Sequence, residues 1–273
     1  VLIFNLKSLN YKNEILKYYK DKVENMKSES GSRILELKYK LATIELLNLA
    51  KNYYTYRELS QIVGLPETVL SRYIKGHVLP TIKRAESINS LLQNVLRLDS
   101  ELEKRIIFDD SGYFNNTEII SDPLLLGRAV QYGINKFAGK RITKVVTAAV
   151  DGVPLATLLA YRLGVGLVIA KKEREVGVKD FIEEVFIPQK TAVMMSLYIP
   201  KGIIKKGDCT LIVDDVIDSG ETQKALIRII QKAKAEVTGI YALIGIGDEW
   251  KNKISEAVNC PVEVVLQIPR KKP

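Results

Sequence analysis

The spacing of apolar positions changes character partway along the chain. Over roughly the first hundred residues they recur at helical intervals. Ile34, Leu37, Leu41, Ile44 and Leu47 share one face of a helix predicted over 33–51. A second helical pattern covers 11–27, and the polar run Ser28-Glu-Ser-Gly31-Ser32 separates the two. A third runs over 82–107, with Leu91, Leu92, Val95, Leu98 and Leu102 on one face. Asp109-Asp-Ser-Gly112 ends it and marks a domain boundary. The expected division is a helical domain over 1–108, with the long helix as linker, and a second domain over 109–273.

After Leu124 the period shifts. Short apolar runs at 145–150, 165–170, 210–213, 237–246 and 262–267 have the length of strands. Between them, 124–137, 155–163, 222–234 and 250–258 fit amphipathic helices. Such alternation predicts an α/β domain, a parallel sheet with helices on both faces. Ligands of these sheets bind beyond the C-terminal strand ends. The predicted fold is therefore an all-α N-terminal domain followed by a parallel α/β domain.

Within the helical part, residues 56–75 fit a helix-turn-helix. Leu59 and Val63 lie on one face, Ser60 is small where helices cross, and Gly64 permits the turn. Leu65, Leu70 and Tyr73 close a small core. Glu67, Thr68, Ser71 and Arg72 then face outward on the second helix, suited to the major groove of DNA. Lys75, His77 and Lys83 are candidates for phosphate contacts. The plain alternative is a helical hairpin with no ligand, and His77 reads equally well as a surface residue.

Charge sharpens this picture. The 273 residues include 41 Lys and Arg against 32 Asp and Glu, a net charge of +9. Residues 1–100 hold 16 basic and 10 acidic side chains, so most of the excess lies in the first part. This asymmetry is expected when a nucleic-acid-binding domain precedes a more neutral one. No apolar run reaches the roughly 18–20 residues of a membrane span. The start does not read as a signal peptide, and a cytoplasmic protein is expected. Two cysteines and one histidine make no disulfide framework, zinc site or histidine triad, and no protein-only metal site is predicted. Cys209 and Cys260 read as core thiols.

The candidate chemistry lies in Leu211-Ile-Val-Asp-Asp-Val-Ile-Asp-Ser-Gly-Glu-Thr222. An apolar strand runs into Asp214 and Asp215, then a short turn and a helix. Carboxylates at a strand end are costly to desolvate. They can accept hydrogen bonds from vicinal hydroxyls such as those of a ribose. The turn over 218–222 can aim backbone N–H groups at a phosphate, helped by the helix dipole. The alternative is a strand–turn–helix merely capped by Ser219 or Thr222. The G-x-x-x-x-G-K-[ST] pattern of ATPases is absent.

This segment resembles the 5-phosphoribosyl 1-diphosphate (PRPP) motif of type I phosphoribosyltransferases. The resemblance implies that Asp214 and Asp215 hold the ribose hydroxyls. It also implies that Asp218, Ser219, Gly220, Glu221 and Thr222 form the cradle of the 5-phosphate. Glu221 departs from the family pattern and must point away from the phosphate. Upstream, Ala148-Ala-Val-Asp-Gly-Val-Pro-Leu-Ala156 resembles the family's diphosphate loop, with Val150, Asp151 and Gly152 presenting N–H groups. Lys171-Lys-Glu-Arg174 resembles the basic segment before the family's mobile catalytic loop, and Lys171, Lys172 and Arg174 suit a diphosphate by charge. The loop expected over 175–193 lacks the His-Gly pair of orotate enzymes. It carries Asp180, Glu183 and Glu184, whose charge would oppose closure over a diphosphate.

By the same resemblance, Mg2+ would accompany PRPP, and Asp218 stands where 6-oxopurine enzymes carry an Asp near the purine N7. Asp218 is thus the catalytic candidate, with a turn-shaping role as the alternative. Tyr113, Phe114 and Trp250 are candidates to stack on a base. A helix-turn-helix joined to such a domain resembles archaeal regulators of the orotate-phosphoribosyltransferase-like type. In concept it parallels the purine repressor of Gram-positive bacteria. The expected function is a dimeric transcriptional regulator that senses PRPP or a purine or pyrimidine nucleotide. The alternative is an active phosphoribosyltransferase with a DNA-binding extension.

Overall fold

The computed structural model describes residues 29–95, 97–109, 114–187 and 194–270. The helix expected over 11–27 and the candidate Tyr113 lie outside them. The chain divides into two compact units between Arg97 and Leu98.

The first unit contains four described helices: α1 (Glu29–Lys51), α2 (Tyr56–Val63), α3 (Glu67–Ile74) and α4 (Ile82–Val95). Thr55 starts α2 with a reciprocal cap. Its hydroxyl accepts from the Glu58 N–H at 3.3 Å, and the Glu58 carboxylate accepts from the Thr55 N–H at 2.7 Å. Gly64 ends α2 at φ 67°, a left-handed conformation that a Cβ would strain. Pro66 then precedes α3. Leu47, Ala50, Leu59, Val63, Leu70, Tyr73, Ile88 and Leu92 close one core.

The helix expected over 82–107 is not continuous. It splits into α4 and α5 (Leu98–Lys104), followed by the short strand β1 (Ile107–Phe108). The reason lies in burial. Leu92 belongs to the core of the first unit, whereas Leu102 is buried in the α/β unit beside Leu125 and Leu126. One helical stripe in the sequence serves two cores. The unit boundary therefore falls about ten residues before the expected one at 108.

The second unit continues with β2 (Phe114–Asn115), antiparallel to β1, then α6 (Thr117–Ile120) and α7 (Pro123–Lys136). Next come β3 (Lys144–Ala148), α8 (Val153–Leu163), β4 (Gly166–Ala170), β5 (Phe181–Phe186) and β6 (Met195–Pro200). The chain then forms β7 (Cys209–Ile217), α9 (Glu221–Lys232), β8 (Glu236–Ile246), α10 (Glu249–Ala257) and β9 (Val262–Ile268). Five strands make a parallel sheet in the order β4-β3-β7-β8-β9. Val145, Leu211, Val213 and Tyr241 face one core with α7 and α8. Val146, Ile212, Ile240 and Ala242 face a second core with α9 and α10. Burial on both faces accounts for the continuous apolar runs.

Two further elements differ from expectation. β7 does not stop at Val213 but pairs with β8 as far as Ile217 opposite Gly245. Backbone pairing to a long neighbour carries the acidic residues into the strand. The segment expected as a loop over 175–193 contains β5, which pairs antiparallel with β6. Leu197 and Ile199 are buried, and Ile182 and Phe186 pack on the same core, so an alternating pattern there makes a hairpin. No helix among the described residues is long and apolar enough to cross a membrane.

Candidate functional site

The site is built at the C-terminal ends of β3 and β7. Asp214 and Asp215 are each only 7% exposed. Gln223, in the first turn of α9, donates to Asp214 Oδ2 at 2.7 Å, and Asp214 Oδ1 accepts from the Asp215 N–H at 3.1 Å. Asn116, just before α6, donates its side-chain amide to Asp215 Oδ2. Burial, then the adjacent Asp215 charge, pushes the Asp214 carboxyl well above the ordinary carboxylate value. Burial raises Asp215 as well, with the charge of Asp151 adding to it. Two carboxylates held this close in low dielectric are poised for a ligand that donates hydrogen bonds or brings positive charge.

The loop between β3 and α8 meets this pair directly. A Cβ on Gly152 would lie 2.6 Å from Thr147 Oγ1 and 2.7 Å from Asp214 Oδ1, so only glycine fits. Gly152 is buried, while Asp151 and Val150 are exposed beside it. The Ala149–Val150 peptide is cis. The structure thus brings the two segments singled out in the sequence, 150–152 and 214–222, to one place.

The turn after β7 leads into α9 through Gly220, at φ 78°. It packs on Trp250, whose Cβ would be 3.0 Å from a Cβ at Gly220. Ser219 Oγ accepts from the Glu221 N–H at 3.4 Å, and Thr222 sits in the first turn of α9. The Glu221 carboxylate pairs with Lys253 of α10 at 2.7 Å, so its charge is met by the neighbouring helix. Asp218 is paired with Arg270 at 2.6 Å, and Arg270 also approaches Glu249 at 3.4 Å. Asn116, Gln223, Lys253 and Arg270 were not legible as site residues. Only Gln223 left a signal, a polar residue at an apolar helix position.

The basic segment lies partly in ion pairs. Lys171 Nζ is 2.8 Å from Glu175, and Arg174 is 3.0 Å from Glu183 while stacking over Tyr198. Lys172 is exposed. Glu184, expected to repel a diphosphate, is buried and paired with Arg228 at 2.9 Å and Lys232 at 2.7 Å on α9. Glu183 and Glu184 are both met by cations, so their charge is not the open repulsion expected from the sequence, while Asp180 is exposed. The two described aromatic candidates are also committed to packing. Trp250 is buried under the turn at Gly220, and Phe114 packs against Phe108 with ring centroids 5.8 Å apart.

In the first unit, Leu70 and Tyr73 bury one face of α3. Thr68 and Arg72 are exposed on the other face, and Ser71 is half-buried. Lys75 and His77 follow it, both exposed.

Residues 124–269 match the phosphoribosyl transferase domain family. A xanthine phosphoribosyltransferase of Ectopseudomonas mendocina is 31% identical over 183 residues, 66% of this chain and 94% of that protein. The purine biosynthesis transcriptional repressor PurR of Bacillus subtilis is 27% identical over 169 residues, 61% of this chain and 57% of that protein. The crystal structure of an adenine phosphoribosyltransferase from Rhodothermus marinus superposes with a TM-score of 0.55 at 27% identity, covering 63% of this chain and 98% of that one. An extended β7 carrying paired acids, a glycine turn and a loop packed on Asp214 accompany these matches, and the chain belongs to the phosphoribosyl transferase domain family.

Proposed function

We propose that this protein is a DNA-binding transcriptional regulator whose α/β unit binds PRPP or a nucleotide and shifts DNA affinity. The observation that carries the reading is α3: its inner face is buried while Thr68 and Arg72 remain exposed, in the same chain as the 214–222 turn. A helix with such a free polar face, followed by Lys75 and His77, suits a major groove flanked by phosphates. The likeness to a transcriptional repressor of purine biosynthesis supports the combination.

In the ligand site, Asp214 and Asp215 would accept the ribose hydroxyls. The N–H groups of 219–222 would receive the 5-phosphate at the α9 N-terminus. Gly152 and its neighbours would let the backbone approach the diphosphate. No cluster of three or more His, Cys, Asp or Glu among the described residues forms a metal cage. The carboxylates of Asp151 and Asp215 are hard oxygen donors close enough to influence each other, which fits Mg2+ held mainly by diphosphate and water. Asp151 and Asp215 would hold the ion, which neutralises diphosphate charge.

A second reading, a working phosphoribosyltransferase, is favoured by the pairing of Glu183 and Glu184, which removes their opposition to a diphosphate. The Asp218–Arg270 pair favours the regulator, because a carboxylate engaged by a guanidinium is poorly placed to take a proton.

The test is a shift titration on the protein's own upstream region and on nucleotide-metabolism promoters, with and without PRPP. The regulator reading expects one sequence preferred over random DNA and an affinity that PRPP or a nucleotide changes. By linkage, DNA changes ligand affinity by the same factor. Absence of any preferred sequence would remove the regulator. Specific binding that no such ligand altered would remove only the sensing.

A further inference from the structure

Helix α9 breaks its own pattern at one position. Its buried residues are Ala225, Leu226, Ile227, Ile229 and Ile230, and also Gln223, which is 2% exposed. A primary amide in such surroundings is unfavourable unless its polar atoms are met. The Gln223 amide is met by Asp214 Oδ2 at 2.7 Å. The other oxygen of Asp214 accepts from the Asp215 N–H at 3.1 Å and lies against Gly152. The carboxylate is therefore fixed from two directions, one set by β7 and one by α9. Gln223 follows Thr222 directly, so the donor that fixes Asp214 rides on the same helical turn that ends the phosphate cradle.

We infer that Gln223 is a positioning residue: it aims the Asp214 carboxylate at a ribose hydroxyl and ties that aim to the phosphate turn, so that a 5-phosphorylated ribose is recognised as one unit. The inference rests on reading this site as a PRPP or nucleotide pocket. A hydrogen bond from an amide to a carboxylate is stronger than one between neutral groups, and without it Oδ2 loses this donor and the carboxylate is held from the Asp215 side alone. Occupying the turn with phosphate steadies the first turn of α9, which steadies Gln223 and hence Asp214. Ribose hydroxyls then meet a pre-aimed acceptor.

The experiment uses calorimetry on the full chain with PRPP, ribose 5-phosphate, 2,3-dideoxyribose 5-phosphate and inorganic phosphate. Wild type is expected to prefer ribose 5-phosphate over the dideoxy compound. Gln223→Met keeps the shape and removes the donor. It is expected to weaken ribose 5-phosphate about tenfold while leaving the dideoxy compound and phosphate unchanged, so that the preference collapses. Gln223→Glu, near in shape but repelling Asp214, is the second variant and should lose the same preference. Melting curves identify a variant that fails to fold, and the other then decides. Equal weakening of all three ligands would mean a loosened turn and overturn the inference, as would an undiminished preference in a folded variant. Wild type that binds neither PRPP nor ribose 5-phosphate would instead remove the pocket reading, and the inference with it.

Discussion

Asp218 and Arg270 are 52 residues apart in the chain, yet their charged groups lie 2.6 Å apart. Arg270 also donates to the Asp218 carbonyl at 3.4 Å. The pair ties the 218–222 turn to the chain just after β9 and sets a guanidinium against the carboxylate that a general base would use. Diphosphate release with PRPP and each of xanthine, hypoxanthine, guanine, adenine and orotate is therefore expected at the protein-free rate. Sustained nucleotide formation that disappears in Asp218→Ala would overturn this and promote the enzyme reading.

The double substitution Asp214→Asn, Asp215→Asn is expected to abolish PRPP binding in calorimetry and to stabilise the ligand-free protein by about 1 kcal/mol. Burial raises both carboxyls, and the Asp215 charge adds to the effect on Asp214. Between the ordinary and the raised values the folded state binds more protons than the unfolded state. Stability therefore falls as pH rises through that window, and at neutral pH the pair is a burden. Wild-type PRPP affinity in the double variant would refute its role.

Gly152→Ala places a methyl group 2.6 Å from Thr147 Oγ1 and 2.7 Å from Asp214 Oδ1. Neither atom has room to withdraw, since both residues are buried. We expect a stability loss of about 1–3 kcal/mol and at least a tenfold loss of PRPP affinity. A melt and a titration check the two effects separately.

Glu184 anchors the β5–β6 hairpin to α9 through Arg228 and Lys232. Burial pushes its carboxyl up, but the hydrogen bonds and charges of Lys232 and Arg228 prevail and leave it below the usual value. A depressed carboxyl contributes stability above its unfolded pKa, and that stability is lost as pH falls through the folded one. Both cations are about half exposed, so Glu184→Gln should cost only about 1 kcal/mol at neutral pH. The difference from wild type should shrink in acid. Urea melts of both proteins across that range decide it.

Arg72→Ala, at an exposed position on α3, should relax sequence preference at one base pair by about 1–3 kcal/mol and leave folding intact. Lys75→Ala should instead weaken all sequences alike and lower the salt dependence of binding. We expect the operator to contain two half-sites bound by a homodimer. Binding-site selection with the Arg72 variant, followed by salt titration with the Lys75 variant, separates the two effects.

Local pattern determined most of the architecture. The change of apolar period marked two units, and the sheet strands other than β7 and the helices after 123 fall close to their expected places. Thr55, Gly64 and Pro66 delimit the first two helices of the 56–75 segment through capping and backbone conformation, which act within a few residues. The segments 150–152 and 214–222 stood out in the sequence by their small and acidic residues in a fixed order, and the fold brings them together where Gly152 meets Asp214. What pattern could not determine was which core a stripe enters. Leu92 and Leu102 read as one helix face and are buried in different units. Nor could it supply partners from afar. Asn116 on Asp215, Arg270 on Asp218, and Arg228 and Lys232 on Glu184 are chosen by the sheet order and by the faces on which helices pack. A charge reads the same in sequence whether paired or not, so Glu183 and Glu184 looked repulsive until the hairpin brought them to Arg174 and α9. Periodicity and turn chemistry are short-range and survive in one dimension, whereas burial and charge pairing depend on distances that exist only once the chain has closed.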